Sequence, residues 1–534
     1  MQAVFIQYIY LILIIIALVM VANKLKLAYP IVLVLGGLLL SFASNFSNIT
    51  IDPDLIFFIF LPPLLYEAAW QTSWKEFWRW RRVIMSFAFP IVILTSCVVA
   101  LSAYMIIPDF TLALGFLLGG IVSPPDAISA TTIMRQVNAP RILTSVAEGE
   151  SLLNDASSLI VFRFALLAVM TGQFHFSQAV GSFFLVIIMG TLIGVVIGLI
   201  FYGIYRWLPT TPSIEIVLSF VAPYSMYYFA EEFHFSGVLA VVSGGLLLSS
   251  QREKMFTYQG RVQGTSVWST IGFVLNGVVF LLIGLQLPSI TTSVEEVSLR
   301  QAIWYGLAIS LVLIVARMMS TYGAAVFTRF MGRFITVADR NPGWKIPLVF
   351  GWSGMRGVVS LAAALSIPVL AGEGHPFPYR NLILFITFIV ILVTLVFQGL
   401  TLPWLIRTVK PTSKFDTLTE EEQEIIIQKK MAHISLQHIE EKYLSELEKN
   451  DHLRNLHSRM KLDIAFFNKD MEEIKNKNGN PVRFYQRIYL ELLDQQRAML
   501  HKINHKAEFD EELIRKYLSL IDIEEFKIRE KLKE

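Results

Sequence analysis

The sequence has one cysteine, Cys97, and it lies inside an apolar run. A single thiol excludes an intramolecular disulfide and a metal cluster built from cysteines. Charged residues are also scarce, at 16% of the 534 residues, against 54% hydrophobic residues. No G-x-x-x-x-G-K-[ST] segment is present, so nothing in the sequence predicts a phosphate-binding loop. The composition is too apolar to be explained by a single soluble core.

Apolar runs of roughly 20 residues recur along residues 1–410, and a helix of that length crosses a bilayer. We predict an all-α polytopic membrane protein with about thirteen spanning helices. Their expected positions are about 3–22, 30–43, 54–69, 83–106, 111–133, 144–170, 178–204, 213–230, 236–250, 266–287, 302–328, 346–370 and 379–404. The first run lacks a basic segment before it and an A-x-A-like site after it, which favours a retained helix over a cleaved signal.

Basic residues in the loops predict the orientation. The loops after odd-numbered spans contain 18 lysines and arginines, whereas the opposite loops contain 2, Arg300 and Arg380. Cytoplasmic loops of membrane proteins are enriched in basic residues. We therefore expect a cell-membrane protein whose N-terminus lies outside the cell and whose C-terminus lies in the cytoplasm. The position of these basic residues in the loops accounts for the net positive charge of the chain, so that charge does not indicate nucleic-acid binding. Residues 411–534 hold 22 basic and 25 acidic residues, so we expect a helical cytoplasmic tail there, regulatory or involved in assembly.

Two predicted spans contain residues that interrupt a helix. The fifth contains SPPD at residues 123–126, and the twelfth contains GWSGMRG at residues 351–357. Adjacent prolines remove two backbone donors, and a high glycine density favours unwinding. Irregular backbone at membrane depth must be buried in protein or line a cavity, and paired interruptions indicate an inverted-repeat transporter. Spans four to six and eleven to thirteen would be the related units, although no residue-level repeat is visible.

The stretch from Glu150 to Asp155 places two carboxylates, an amide and a hydroxyl in the sixth span. Ser151 and Asp155 share one helical face, while Glu150 and Asn154 share the next. Ionisable residues at membrane depth indicate an ion or proton pathway. Because a desolvated carboxylate takes up a proton more readily, a proton and a metal cation can compete for the oxygens of Asp155.

Hard cations prefer oxygen ligands, so the candidate ion site extends beyond Asp155. Ser123, Ser151, Asp126 and carbonyls freed by the break in the fifth span can supply such oxygens. We therefore expect Na⁺ at Asp155, exchanged there for a proton.

The other charges in apolar runs need partners. Arg317 lies deep in the eleventh span, and an unpaired buried guanidinium is very costly, so Glu150 is expected to pair with it in a structural or gating role. Arg356, beside the second break, is expected either to neutralise the C-terminal ends of opposing half-helices or to pair with Asp126.

Two further charges leave alternatives open. Glu67 lies towards the cytoplasmic end of the third span, where it either attracts cations at the inner mouth or pairs with an arginine between residues 79 and 82. Arg163 in the sixth span also needs a partner, which the sequence does not identify.

Six segments in spans three to twelve carry a family resemblance: FLPPLLYEAAW, IVSPPDAISATT, AEGESLLNDASSLIVF, FSGVLAVVSGGLLL, VARMMS and GWSGMRGVVSLAAAL. Together they resemble the sodium/proton exchangers of the monovalent cation:proton antiporter group, in its electroneutral branch with Asn-Asp in the sixth span, NhaP-like in bacteria and NHE-like in animals. The resemblance implies an NhaA-like antiporter fold with two crossed broken helices, a homodimer and elevator-like alternating access. Its core units would be about 83–170 and 302–404, and its dimerisation part about 3–69 and 213–287.

The resemblance also implies residue roles. Asp155 would bind the ion or proton, Asn154 would brace the crossed helices, and Ser151 and Ser123 would be oxygen ligands. Many relatives carry Thr-Asp-Pro in the fifth span, whereas here Asp126 follows the prolines, which leaves its role open. With Asn154 neutral, exchange of one cation for one proton is the simplest cycle, and a second titrating carboxylate would allow two protons per cation.

The sequence thus predicts a secondary antiporter that exchanges cytoplasmic Na⁺ for external H⁺ in pH and sodium homeostasis. K⁺ and Li⁺ are alternative substrates, and no cofactor or enzymatic activity is expected. A cation channel is a second hypothesis, but no filter-like carbonyl signature is apparent. An intramembrane aspartyl protease using Asp126 and Asp155 is a third, and the G-x-G-D signature expected for it is absent.

Overall fold

The structure is a computed structural model that describes residues 2–42, 56–173, 176–286, 290, 297–334, 337, 339, 342–371, 375–413, 420–447, 450–475, 481–504 and 511–530. It divides into two compact units, Met1–Ser413 and Lys414–Glu534. Among the described residues the regular elements are helices, apart from one isolated bridge between Leu370 and Pro376. The all-helical class is confirmed.

In the first unit the helices up to the first break are α1 (Gln2–Leu25), α2 (Tyr29–Leu40), α3 (Leu61–Gln71), α4 (Trp74–Ser86), α5 (Val92–Ile106), α6 (Leu112–Val122) and α7 (Ala127–Gln136). They are followed by α8 (Arg141–Thr171), α9 (Phe176–Trp207), α10 (Pro212–Glu232), α11 (Gly237–Met255), α12 (Tyr258–Leu285), α13 (Leu299–Met331), α14 (Lys345–Trp352), α15 (Val358–Leu365), α16 (Arg380–Leu392) and α17 (Gly399–Val409). Three π-helical stretches, Ile56–Phe60, Phe87–Ile91 and Val393–Gln398, precede α3, α5 and α17.

Seven helical stretches of the described residues are long and apolar enough to cross a membrane: Trp74–Ile106, Leu112–Gln136, Arg141–Thr171, Val180–Trp207, Tyr258–Leu285, Leu299–Met331 and Arg380–Val409. Ile9–Leu25 and Tyr29–Leu40 are shorter apolar helices. These helices make the chain a multi-pass membrane protein. The number of thirteen spans stays a prediction, as does the inverted repeat.

The helix of the fourth predicted span begins earlier than expected, at Trp74 rather than near residue 83. The side chain of Ser73 caps it by accepting a hydrogen bond from the Glu76 N–H. The helix then continues to Ile106 through the π-helical stretch that contains Pro90. Proline cannot donate a backbone hydrogen bond, and a π-helical turn accommodates it without ending the helix. The aromatic and basic residues before residue 83 are therefore part of this helix.

The two predicted interruptions lie at the expected segments. Residues 123–126 separate α6 from α7, and residues 353–357 separate α14 from α15. The two unwound segments meet, because the Asp126 N–H donates a hydrogen bond to the Met355 carbonyl oxygen at 2.6 Å. Each break thereby satisfies part of the backbone that the other leaves free.

Glycines let α12 pack closely against α2. A Cβ atom on Gly37 would lie 2.3 Å from the Leu281 carbonyl oxygen, and one on Gly284 would lie 2.2 Å from the Val34 carbonyl oxygen. Small residues at such contacts allow helix backbones in a membrane to approach. The position of α12, which forms one wall of the site below, is fixed by this contact.

The second unit contains α18 (Glu420–Lys442), α19 (Leu444–Leu447), α20 (Asp451–Lys475), α21 (Pro481–Asn504) and α22 (Glu511–Glu530). Helices α18 and α20 pack together, as do α21 and α22. Ion pairs reinforce both contacts: Glu440 lies 3.2 Å from Lys461, and Arg497 lies 2.5 Å from Glu525.

Candidate ion-binding site

A cavity of about 300 Å³ lies beside the break between α6 and α7. Its walls come from α3, α7, α8, α12 and α15. Exposed Gln71, Arg135 and Ser269 lie at its rim, whereas Asp155 and Asn276 inside it are only 8% and 5% exposed. The cavity therefore leads from the surface to a buried carboxylate.

Asp155 lines the cavity from α8, on the helical face that also carries Glu148, Ser151 and Leu152. No described residue donates a hydrogen bond to its carboxylate or forms an ion pair with it. Burying a carboxylate without a counter-charge is costly, so it favours uptake of a proton or a cation. Among the described residues no group of three or more His, Cys, Asp and Glu side chains could hold a metal ion.

The two neighbours of Asp155 on α8 contact the first break. The Ser151 hydroxyl lines the cavity and accepts a hydrogen bond from the Ala127 N–H at 3.4 Å. Asn154 is fully buried, and its Nδ2 donates to the Pro125 carbonyl oxygen at 2.9 Å. That oxygen precedes α7 and has lost its helical partner, so Asn154 ties α8 to the unwound segment.

Asp126 is the N-cap of α7. Its Oδ1 accepts a hydrogen bond from the Ile128 N–H at 3.1 Å, and its Oδ2 accepts from the Ser129 hydroxyl at 3.0 Å and the Ser129 N–H at 3.4 Å. A Cβ atom on Gly357 would lie 2.9 Å from Oδ2, so the second break also packs against this carboxylate. Asp126 lines the cavity, but both of its oxygens are engaged in capping.

Ser123 is not among the described residues that line this cavity. Its hydroxyl instead accepts a hydrogen bond from the Ser96 hydroxyl of α5 at 3.0 Å, and its side chain is buried. The prolines that follow it change the direction of the chain, so residues before and after the break face different neighbours. The structure does not bring the Ser123 hydroxyl to Asp155, contrary to the position expected from the sequence.

Arg356 is fully buried and bonds the C-terminal ends of two half-helices. Its Nε donates to the Val122 carbonyl at 2.9 Å, its Nη2 donates to the Ser123 carbonyl at 3.4 Å, and its Nη1 donates to the Gly354 carbonyl. These carbonyls end α6 and follow α14, where the partial charge of a helix is negative. The sequence left two alternatives open for Arg356, and in the structure it contacts the C-terminal ends of the half-helices. No hydrogen bond or ion pair joins Arg356 to Asp126 among the described residues.

Glu150 and Arg317 form a bidentate ion pair. Arg317 Nη1 lies 2.5 Å from Glu150 Oε1, and Nη2 lies 2.6 Å from Oε2. The Arg317 side chain is 4% exposed and the Glu150 side chain is 2% exposed. Rings of Phe87 and Phe350 lie 5.0 Å from the guanidinium carbon. The pairing expected from the sequence is present, while its structural or gating role stays a prediction.

Glu67 lines the cavity and accepts a hydrogen bond from Gln71 one turn later. This position favours a role for the Glu67 carboxylate in attracting cations to the cavity over a pair with an arginine between residues 79 and 82. Arg163 pairs with Glu231 of α10, with Nη2 2.6 Å from Oε2, which identifies the partner that the sequence did not.

Sequence reasoning missed four buried polar residues of the cavity: Thr72, Thr131, Ser360 and, on α12, Asn276. For Asn276 the only available signal was a single amide inside the apolar segment GFVLNGVVFLLIG, seven residues after Ser269. Nothing in that pattern indicates which neighbouring helix the amide faces.

Comparison with known proteins now identifies the family. A family described as "Sodium/hydrogen exchanger, transmembrane" matches residues 10–408. The chain belongs to this family. Membership of the monovalent cation:proton antiporters is thereby confirmed, whereas the Asn-Asp branch stays a prediction.

Similar proteins include a "Sodium, potassium, lithium and rubidium/H(+) antiporter" of Bacillus pumilus, 33% identical over 70% of this chain. The alignment spans 57% of the length of that relative. An "Uncharacterized Na(+)/H(+) exchanger YjcE" of Escherichia coli is 30% identical over 93% of both chains.

Among solved structures, the sodium proton antiporter MjNhaP1 from Methanocaldococcus jannaschii matches 76% of this chain and 99% of its own, with a TM-score of 0.61 and 17% identity. At that identity the match shows a common fold for the membrane unit.

Proposed function

We propose that this protein is a secondary active antiporter that exchanges cytoplasmic Na⁺ for external H⁺ by alternating access. The observation that carries the proposal is Asp155, a buried carboxylate without a described counter-charge at the inner end of a cavity. A group in this position can hold a proton or a cation, and occupation by one excludes the other. Family membership supports the same class of reaction.

One exchanging carboxylate gives a cycle of one cation for one proton. Asp126 is the other acid beside Asp155, and both of its oxygens already accept hydrogen bonds from α7. Glu150 is held by Arg317. Only Asp155 then changes its occupant, and the exchange should be electroneutral.

K⁺ is the second candidate substrate, because the Bacillus pumilus relative is named for sodium, potassium, lithium and rubidium. We also propose a homodimer in a cell membrane with the N-terminus outside and the C-terminus in the cytoplasm. Loop charges support that orientation. For the unit from Lys414 to Glu534 we propose a regulatory or assembly role.

The test is Asp155→Asn in proteoliposomes with an imposed pH gradient. Na⁺-driven recovery of the internal pH should fall to the level of protein-free vesicles, because an amide cannot exchange a proton for a cation. Wild-type rates in this variant would refute the assignment of Asp155. Repeating the wild-type assay with K⁺, and with the membrane potential clamped, tests substrate and charge balance.

The matched control is Asp109→Asn, which removes the same charge from an exposed position away from the cavity. Asp109 has φ of 57°, a left-handed conformation that asparagine also tolerates. Transport by this variant should equal that of the wild type.

A further inference from the structure

One face of α12 forms part of the wall of the cavity that α8 also lines. Ser269, Gly272, Phe273 and Asn276 line the cavity and recur at the three- and four-residue spacing of a single helical face. Ser269 is exposed at the rim, and Asn276 is 5% exposed. Seven residues advance a helix by about 10 Å, so Asn276 lies two turns deeper than Ser269.

The part of the wall on α8 has the same arrangement. Glu148 lies at the rim, where it pairs with exposed Arg135 at 2.6 Å. Asp155 follows seven residues later on the same face and is 8% exposed. Asn276 and Asp155 are therefore both buried residues of the same cavity, each about two turns along its own helix from a residue at the rim.

The amide of Asn276 has no hydrogen-bond partner for its oxygen. Oδ1 is buried and accepts no hydrogen bond from any described residue, although the side chain lines a cavity that contains polar groups. A buried polar atom left without a partner is costly, and such atoms in native proteins call for a ligand or water. A rotation of the amide exchanges its oxygen and nitrogen, so the oxygen can face the cavity.

The other neutral side chains expected near Asp155 face other neighbours. The Ser123 hydroxyl bonds Ser96. Asn154 donates to the Pro125 carbonyl, and although its Oδ1 is buried without a described hydrogen-bond partner, Asn154 is not among the residues described as lining the cavity. Ser151 remains on the same helix as Asp155. A cation that sheds its water at Asp155 needs oxygens from more than one direction, since burying a poorly coordinated charge is costly.

We propose that Asn276 is an uncharged oxygen ligand of the cation bound at Asp155, contributed by a different helix of the same cavity, and that it sets affinity and selectivity among alkali cations. This inference rests on the proposed function. A proton needs only one carboxylate oxygen, whereas an alkali cation needs several ligands. Asn276 should therefore matter for the cation half of the exchange and not for the proton half.

The test compares wild type with Asn276→Leu, which has a similar volume and no polar atom, in the full chain reconstituted in proteoliposomes. Proton movement is measured over a range of Na⁺, Li⁺ and K⁺ concentrations. The half-saturating Na⁺ concentration should rise about tenfold, equivalent to 1.4 kcal/mol, while the maximal rate stays within about twofold of wild type. The ratios between the three cations should change, because each ion makes a different demand on the lost ligand.

A second readout needs no transport. Na⁺ that binds the folded protein raises its melting temperature in detergent, and the concentration needed should also rise about tenfold in Asn276→Leu. Asn276→Ser, which keeps an oxygen on a shorter side chain, should give an intermediate value. This variant also supplies the test if the leucine variant does not fold.

The matched control is Gln398→Leu. Gln398 is also a fully buried amide, without a described hydrogen-bond partner for either side-chain atom, but it is not among the residues described as lining the cavity. Its half-saturating concentrations should equal those of the wild type. Unchanged values in both Asn276 variants, or an equal shift in the control, would overturn the inference. If Asp155→Asn is inactive in the same preparations, the proposed function stands and only the role of Asn276 fails.

Discussion

Removing the carboxylate of Glu150 should destabilise the membrane unit strongly, because the charge of Arg317 would remain. Arginine side chains keep their charge in proteins, and the Arg317 side chain is 4% exposed. Charge centres about 4 Å apart at an effective dielectric constant of 20 attract each other by about 4 kcal/mol. Breaking a buried pair by removing one partner typically costs about 3–5 kcal/mol, so both routes give the same magnitude for Glu150→Leu.

The rings of Phe87 and Phe350 moderate this loss without preventing it. Each lies 5.0 Å from the guanidinium carbon and remains in the variant. Cation–π contacts contribute about 1–2 kcal/mol at a desolvated site, less than the ion pair loses. In addition, Arg317 Nε is buried and has no hydrogen-bond partner among the described residues, so the guanidinium loses both of its described hydrogen bonds once Glu150 is gone.

The assay is thermal unfolding of the purified protein in detergent, with Glu150→Leu compared with Glu150→Leu/Arg317→Leu. The double variant removes both charges, and apolar replacement of a buried pair is often neutral or stabilising. It should therefore melt well above the single variant. A double variant at or below the single variant would show that the helix packing, and not the unpaired charge, causes the loss.

Two further predictions contrast with this one. Arg163→Ala should cost no more than about 1 kcal/mol, because the Arg163 side chain is 49% exposed in its pair with Glu231, and a melting temperature as low as that of Glu150→Leu would contradict this. In the second unit, hydrogen bonds from His457 and then Lys461 lower the pKa of Glu440 below its ordinary value of 4.5. Because the pKa of Glu440 is lower in the folded state than in the unfolded state, its charge stabilises the fold at pH values above 4.5. This stabilisation is lost as the pH falls through the lowered folded-state pKa. Glu440→Gln should thus speed amide hydrogen exchange in α18 at pH 7 but not below about pH 3, where the carboxylate is protonated in both states. The exchange rates are compared after correction for intrinsic rates. Equal differences between variant and wild type at both pH values would refute the charge argument.

The interruptions and the buried ion pair could be predicted from the sequence because each has a local or an unavoidable cause. Pro124 and Pro125 remove two successive backbone donors at the end of α6, and the glycines at residues 351–357 favour unwinding in the second case. Arg317 in an apolar run requires a carboxylate, and Glu150 was the economical choice.

The remaining side chains depend on tertiary placement. Ser123 was expected at the ion because it adjoins the break, yet the break resets the helical phase and the hydroxyl faces Ser96 instead. The partner of Arg163 lies 68 residues away on α10, at a distance that no helical spacing encodes. Asn276 could not be assigned to the cavity without knowing that α12 and α8 line the same cavity.

The amide at position 154 follows from the broken helix beside it. The Pro125 carbonyl needs a donor, because the chain leaves the helix there, and Asn154 Nδ2 supplies one at 2.9 Å. An ionised aspartate at the same position would place two acceptors against each other in a fully buried site. Arg356 meets the carbonyl ends of the half-helices, and Asp126 caps the N-terminal end of α7. Since these side chains bond backbone groups that the two breaks leave free, the crossing itself does not depend on a charge from Asp155, and in the proposed cycle that carboxylate exchanges its ion.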